Sequence, residues 1–236
     1  ADVLFMSLNF MPDKGDLHRN FAETVALVGR LNYDTAAFVH GEKQLLDYGF
    51  DSYATQVMKL SDGRTISLAW MQMWEVTWPT TEYGWVGSFG LPRQVCVRNG
   101  KVYQTPIEEI QTYCVQVTEL SSVSEYETEF RPVRLQIKHS AKDHLTLKLS
   151  DGISEYRYEW CPEESRAVIT RGGILPQSRN QLESNTHERI VPIGRCDTIS
   201  LDIFLDTSAA EIFFNDGEYV ASGTYFMQKE ARITLS

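Results

Sequence analysis

The chain has 236 residues, 42% hydrophobic and 23% charged, with no apolar run near the roughly 20 residues that a membrane-spanning helix requires. Its 32 acidic and 22 basic side chains give a formal charge of −10. No dense lysine and arginine cluster interleaves with the aromatics, so a nucleic-acid backbone would be repelled. What remains is a globular protein long enough for two modest cores, since domains typically run to about 100–150 residues, with neither nucleic acid nor membrane as partner.

Strand signals dominate from the first residues: VLFMSLNF at 3–10, TVALVGRL at 24–31, SYATQVMKL at 52–60, TISLAWMQMW at 65–74 and RQVCVRNGKVYQ at 93–104. Each is rich in β-branched and aromatic residues. Ser61-Asp62-Gly63 and Asn99-Gly100 fall between such runs, where Asp-Gly and Asn-Gly supply the positive φ angles of tight hairpins. Pro106 breaks the ladder, and IEEIQTY after it suits one short helical turn before strands resume. From PVRLQIKHS at 132 to ARITLS at 231 the runs alternate apolar and polar, with turns about every ten residues, as in an antiparallel sandwich. No segment sustains a helical period, so the expectation is an all-β chain. Because Ala1 leads straight into an apolar strand pattern, the chain is expected to begin inside a fold whose earlier part lies upstream or on another chain.

Cys96, Cys114, Cys161 and Cys196 are far apart and form no CxxC pair, and no Asn-x-Ser/Thr sequon occurs. Four reduced, mostly buried thiols and a cytoplasmic location are expected, with secretion the alternative if a signal peptide precedes this sequence. His139 and His144 in KHSAKDH lack a third ligand nearby, so no metal is assigned and no cofactor is called for. No G-x-S-x-G elbow and no phosphate-binding glycine loop are present.

The chemistry concentrates between Asp47 and Arg93, in DYGFDSYATQ, LAWMQMW and EYGWVGSFGLPR. Aromatic faces meet the C–H side of a sugar ring while carboxylates and amides bind its hydroxyls. Any one of Trp70, Trp74, Trp78 and Trp85 suits a core equally well, and Asp47 and Asp51 could simply brace a turn at Gly49. On a regular strand, Asp51 and Tyr53 would share a face, as would Trp70, Gln72 and Trp74. In the second half Asp206, Ser208 and Asn215 are read as turn residues.

These motifs resemble glycoside hydrolase family 32, the invertases, inulinases, levanases and sucrose-6-phosphate hydrolases. DYGFDSYATQ is similar to its D-x-G-x-D-F-Y-A-x-Q segment, LAWMQMW to its G-W-M-x-x-W strand, GWVGSFGLPR to its W-x-G-x-x-x-L-P-R segment, and FLDTSAAEIFFNDGE to its D-x-S-x-x-E-x-F-x-N-D-G hairpin. The likeness spans the chain in the family's order. It implies the last part of a five-bladed β-propeller over 1–105, a linker at 106–112 and a β-sandwich over 113–236. It also implies hydrolysis of terminal β-fructofuranosyl bonds with retention, by a nucleophilic carboxylate and an acid/base partner about 5–5.5 Å apart. The family's W-M-N-D-P-N-G, R-D-P and E-C-P motifs, which carry its catalytic carboxylates, do not occur in this sequence.

No catalytic residue is therefore assigned within it, and the chain alone is expected to be inactive. Glu159-Trp160-Cys161-Pro162 scrambles the E-C-P pattern and reads as a strand end. By motif position Asp51, Tyr53 and Trp74 are the expected substrate contacts. The implied partners are a fructose-containing sugar and the N-terminal portion of the propeller. Ser52, Thr55, Ala69 and Gln94 depart from the family's usual Phe, Pro, Gly and Glu, leaving the choice among fructosides open. The competing reading is a non-catalytic sandwich that binds carbohydrate or buttresses another domain.

Overall fold

The computed structural model describes residues 1–9, 15, 19–74, 76–117, 124–127, 132–178 and 187–236. Among them there is no α-helix, and none is long and apolar enough to cross a membrane. The chain is all-β.

The first sheet joins β1 (Asp2–Leu8), β2 (Glu23–Asn32) and β3 (Ala37–Leu45) as an antiparallel ribbon in that order. After it come β4 (Ser52–Lys59), β5 (Thr65–Met71), the short β6 (Val76–Thr77) and β7 (Ser88–Phe89), then β8 (Arg93–Arg98) and β9 (Lys101–Pro106). A second antiparallel sheet runs in the order β4-β5-β8-β9, with β7 also paired to β5. The β8–β9 hairpin turns at Asn99 and Gly100, with φ of 50° and 76°, the conformation the Asn-Gly pair favours. The turn after Pro106 is a 3-10 helix over Glu108–Tyr113.

The second half comprises β10 (Val115–Val117), β11 (Ser124–Glu127), β12 (Val133–Ser140), β13 (Leu145–Ser150), β14 (Glu155–Cys161) and β15 (Arg166–Gly172). The remaining strands are β16 (Gln177–Ser178), β17 (Glu188–Val191), β18 (Thr198–Leu205), β19 (Ala209–Phe214), β20 (Tyr219–Thr224) and β21 (Arg232–Leu235). They form two sheets, β10-β12-β18-β19-β20 and β11-β21-β13-β14-β15-β17, while β16 pairs with β6 and ties the two halves together. No sheet closes on itself among the described residues.

The two large sheets share one apolar core. Alternate residues Leu201, Ile203 and Leu205 of β18 and Ile212 and Phe214 of β19 meet Tyr156, Tyr158 and Trp160 of β14 and Ile233 and Leu235 of β21. This is the two-residue period of a half-buried strand, and each such side chain contributes about 1.5–3 kcal/mol by leaving water. Trp160 is 1% exposed and its Nε1 donates to the Ala141 carbonyl, so Glu159-Trp160-Cys161-Pro162 ends a core strand. The four cysteines are free, with Cys196 exposed and the others half-buried, so the expected burial is only partial.

Candidate functional site

The bulged β4–β5 hairpin sets the aromatic cluster. Tyr53 stands opposite Trp70, and the register then slips before Gln56, with Ala54 held at a φ of 53°. β5 stops at Met71, so Trp74 lies beyond the strand and does not alternate with Trp70 along it. The chain instead folds Trp74 back edge-on to Trp70, with ring centroids 5.0 Å apart. Phe89 of β7 pairs with Trp70 from the other side. Gly87, at a φ of 74°, lies so close that a Cβ there would come within 2.4 Å of Gln72 Oε1 and 2.9 Å of Trp70 Nε1.

The four tryptophans thus divide. Trp78 is 2% exposed and packs against Phe226 in a small core with Phe21, Met73 and Val76, whereas Trp74 is 55% and Trp85 42% exposed. Tyr53 belongs to that core, and its hydroxyl donates to Asn9 Oδ1 at 2.9 Å. Burial pushes the Tyr53 phenol above its ordinary pKa, against hydrogen bonds with the Asn9 and Trp74 side chains that pull it down. The phenol therefore stays protonated at neutral pH. Trp70 and Trp74 form an aromatic rim beside the buried Tyr53, a surface that suits the apolar face of a sugar ring.

The carboxylates of the same stretch point elsewhere. Asp51 is 1% exposed, and its Oδ2 accepts from Arg171 Nη1 at 2.5 Å, Thr224 Oγ1 at 2.7 Å and the Thr224 backbone N–H at 2.9 Å. It does not share its surroundings with Tyr53, which packs with Phe21, Met73 and Trp78 and bonds Asn9 instead. Asp47 braces the turn, accepting from the Gly49 N–H at 2.9 Å, and it also accepts from the Ser222 N–H and hydroxyl. Arg93 is 3% exposed and donates to Asp47 Oδ2 at 3.0 Å and to Glu211 Oε2 at 2.6 Å. Burial raises the Glu211 carboxyl above its usual range, with the nearby Asp47 charge adding to it and Arg93 pulling the other way.

These contacts form a buried polar seam between the two halves. Gly49 sits against β20 so closely that a Cβ would be 1.9 Å from the Ser222 carbonyl oxygen. Tyr48 and Phe50 donate backbone bonds of 2.7 Å to Val220 and Ser222, covering the free edge of that strand. Two guanidinium groups lie over the Phe50 ring, with the Arg171 and Arg189 carbons 4.2 and 4.6 Å from its centroid. Each such cation–ring contact contributes roughly 0.5–2 kcal/mol when shielded from water. Arg189 is in turn held by Asn20, whose amide donates to the Gly49 carbonyl.

Arg171, Arg189, Glu211, Ser222 and Thr224 were not among the residues expected from the sequence to matter. One signal was available: AAEIFF places Glu211 and Phe213 on the face opposite the core residues Ala210, Ile212 and Phe214, and both are buried. A strand buried on both faces that carries an acid calls for a cationic partner on a second layer. Asp206, Ser208 and Asn215 act in turns. Asp206 caps the Thr207 N–H, the Ser208 carbonyl accepts from Tyr225, and Asn215 Oδ1 accepts from the Ser200 N–H.

Comparison with known proteins places this geometry in a family. Residues 2–106 match the model of the glycosyl hydrolases family 32 N-terminal domain, and residues 95–235 match that of the family 32 C-terminal domain. A sucrose-6-phosphate hydrolase of Escherichia coli is 31% identical over 238 residues, and a raffinose invertase of the same organism 29%. Each alignment covers 97% of this chain and 48% of the relative, so the chain spans about half the length of the curated relatives it matches. Among solved structures, a variant of the GH32 β-fructofuranosidase of Bombyx mori in complex with sucrose superposes with a TM-score of 0.76 at 27% identity. That match covers 99% of this chain and 50% of the other.

Proposed function

The chain belongs to glycoside hydrolase family 32, and from that membership we propose that it forms part of a retaining β-fructofuranosidase that cleaves terminal fructosyl bonds of sucrose, sucrose 6-phosphate or a fructan. In this reading residues 1–105 are the last part of a five-bladed propeller, 106–112 a linker and 113–236 a β-sandwich. The two separate antiparallel sheets of the first half and the two core-sharing sheets of the second support that division. A cytoplasmic location accords with the four free cysteines.

The observation that carries the reading is the aromatic rim: an exposed Trp74 set edge-on to Trp70 beside a buried, protonated Tyr53. Trp74 stacks on the C–H face of the fructosyl ring, and the Tyr53 hydroxyl is the polar contact beside it. Asp51, the third expected contact, works one layer behind. Its link to Arg171 and Thr224 fixes the start of β4 and hence the placing of Tyr53.

The chemical step needs a carboxylate that attacks the anomeric carbon and an acid that protonates the departing oxygen. The motifs that carry them in the family are not in residues 1–236. The chain by itself is accordingly proposed to hold the sugar without cleaving it.

Fructose release from the three substrates tests this with the whole protein and with the 236-residue chain. Release by the first and none by the second is expected. A whole protein inactive on all three removes the hydrolase assignment, and turnover by the purified chain removes the claim of inactivity.

A further inference from the structure

Asn99-Gly100 is the sole Asn-Gly pair in the sequence, and it forms the two-residue turn between β8 and β9, closed by the pairing of Arg98 with Lys101. Both residues are exposed. Among the described residues neither the Asn99 amide nor the Gly100 N–H has a hydrogen-bond partner. A Cβ built on Gly100 would meet nothing within 4 Å, so no neighbouring group crowds its nitrogen. An asparagine so placed can react with its own backbone. The Gly100 nitrogen adds to Asn99 Cγ, a C–N bond forms as ammonia leaves with the proton of that N–H, and water then opens the five-membered imide. Breaking the bond from the nitrogen to Cγ gives aspartate. Breaking its bond to the main-chain carbonyl carbon gives isoaspartate, in which the chain runs through Cγ. One water is consumed and one ammonia released, with no oxidant or cofactor.

Elsewhere the same reaction is hindered. Asp62-Gly63, Asp151-Gly152 and Asp216-Gly217 can form the same imide, but each glycine N–H is donated. It goes to the Leu60 carbonyl at 3.1 Å, to Ser150 Oγ at 3.1 Å and to the Phe214 carbonyl at 2.9 Å, respectively. The Asp62 carboxylate is also held by Arg64, and Asp151 Oδ1 by the Ile153 and Ser154 N–H groups. Of the other asparagines, Asn32 Oδ1 accepts from the Asp34 and Thr35 N–H groups and Asn215 Oδ1 from the Ser200 N–H. Asn20 is held by Arg189, and Asn9 accepts from Tyr53. Asn180 and Asn185 lie outside the described residues. None of these six is followed by glycine, so the next side chain crowds the attacking nitrogen.

We propose that Asn99 is the site at which the folded chain deamidates spontaneously, to aspartate and isoaspartate. Isoaspartate puts an extra backbone carbon into a two-residue turn whose closure sets the pairing of β8 with β9, from Arg98 opposite Lys101 to Arg93 opposite Pro106. β9 in turn donates its Val102 N–H to Gln44 and its Gln104 N–H to Gly217, so contacts of the hairpin with both halves lie next to the change. The proposal stands on the turn alone and does not depend on the hydrolase reading.

Storage of the protein for weeks at mildly alkaline pH, followed by mass spectrometry of its chymotryptic peptides, tests this in the parent, in Asn99→Gln, and in the parent kept unfolded in guanidinium chloride. The turn is exposed, so Asn99→Gln keeps the fold. The folded parent is expected to convert at Asn99 at least tenfold faster than at any other asparagine of the chain. Its turn peptide should accept methyl groups from an isoaspartyl methyltransferase, and the same peptide from Asn99→Gln should stay unconverted. Equal or faster conversion at another asparagine of the folded chain, or conversion at Asn99 only in guanidinium chloride, overturns the proposal. Aspartate formed without isoaspartate contradicts the imide route and overturns it as well.

Discussion

The aromatic rim and the polar seam come from the same forty-seven positions, Asp47 to Arg93, yet they obey opposite rules. At the rim, large apolar rings stay partly in water, Trp74 at 55% exposure. In the seam, Asp47, Asp51 and Arg93 are nearly dry. A ring left exposed has little to do for stability, and charges taken out of water are tolerated only when paired. The contrast accords with the proposed role of the exposed rings in ligand contact, while the paired charges hold the two halves in register.

The largest expected break in this comparison comes from Arg93→Leu. It leaves Asp47 and Glu211 buried without their cation, and the cost should be about 3–5 kcal/mol in urea unfolding. A loss below about 1 kcal/mol would mean that the seam is hydrated. Gly49→Ala should come next, at about 1–3 kcal/mol, because the added methyl meets the Ser222 carbonyl.

A pH series sharpens the account of Glu211. Its folded-state pKa is raised, so its contribution to stability is fully present below the ordinary glutamate range and is lost as pH rises through the folded value. Glu211→Gln should remove that slope, and an unchanged slope in the variant would assign it to another group. Smallest in stability is Trp74→Ala, expected within about 0.5 kcal/mol of the parent because the ring is exposed. The same variant should lose most of the change in tryptophan fluorescence on adding fructose, and an undiminished change would place the sugar elsewhere.

Much of the fold was legible from alternation and turn chemistry, as in β18 to β21, where every second residue is apolar and Asn215-Asp216-Gly217 marks the hairpin. β3 and β17 were not. β3 is exposed at most of its positions, so its sequence FVHGEKQL carries no two-residue pattern, and β17 is a four-residue strand. Of the candidate site, the Tyr53 and Trp74 rings were legible from their motifs as aromatic residues of one stretch, though Trp74 reaches Trp70 by a fold-back rather than by strand alternation. The office of Asp51 was not legible, because its partners Arg171 and Thr224 are 120 and 173 residues away. Pairing across such a separation is decided by tertiary structure, and a motif reports only one of its two sides.

Asp51 is therefore where the account is most exposed, since by its motif it belongs to the rim and by its contacts to the seam. A double-mutant cycle with Asp51→Asn and Arg171→Gln, read by urea unfolding, tests that placement directly. Each single change leaves a buried group without its partner while the double change removes both, so a coupling of about 1–3 kcal/mol is predicted. Additivity within about 0.5 kcal/mol, with fructose binding lost in Asp51→Asn alone, would return Asp51 to the sugar and contradict the division of rim from seam.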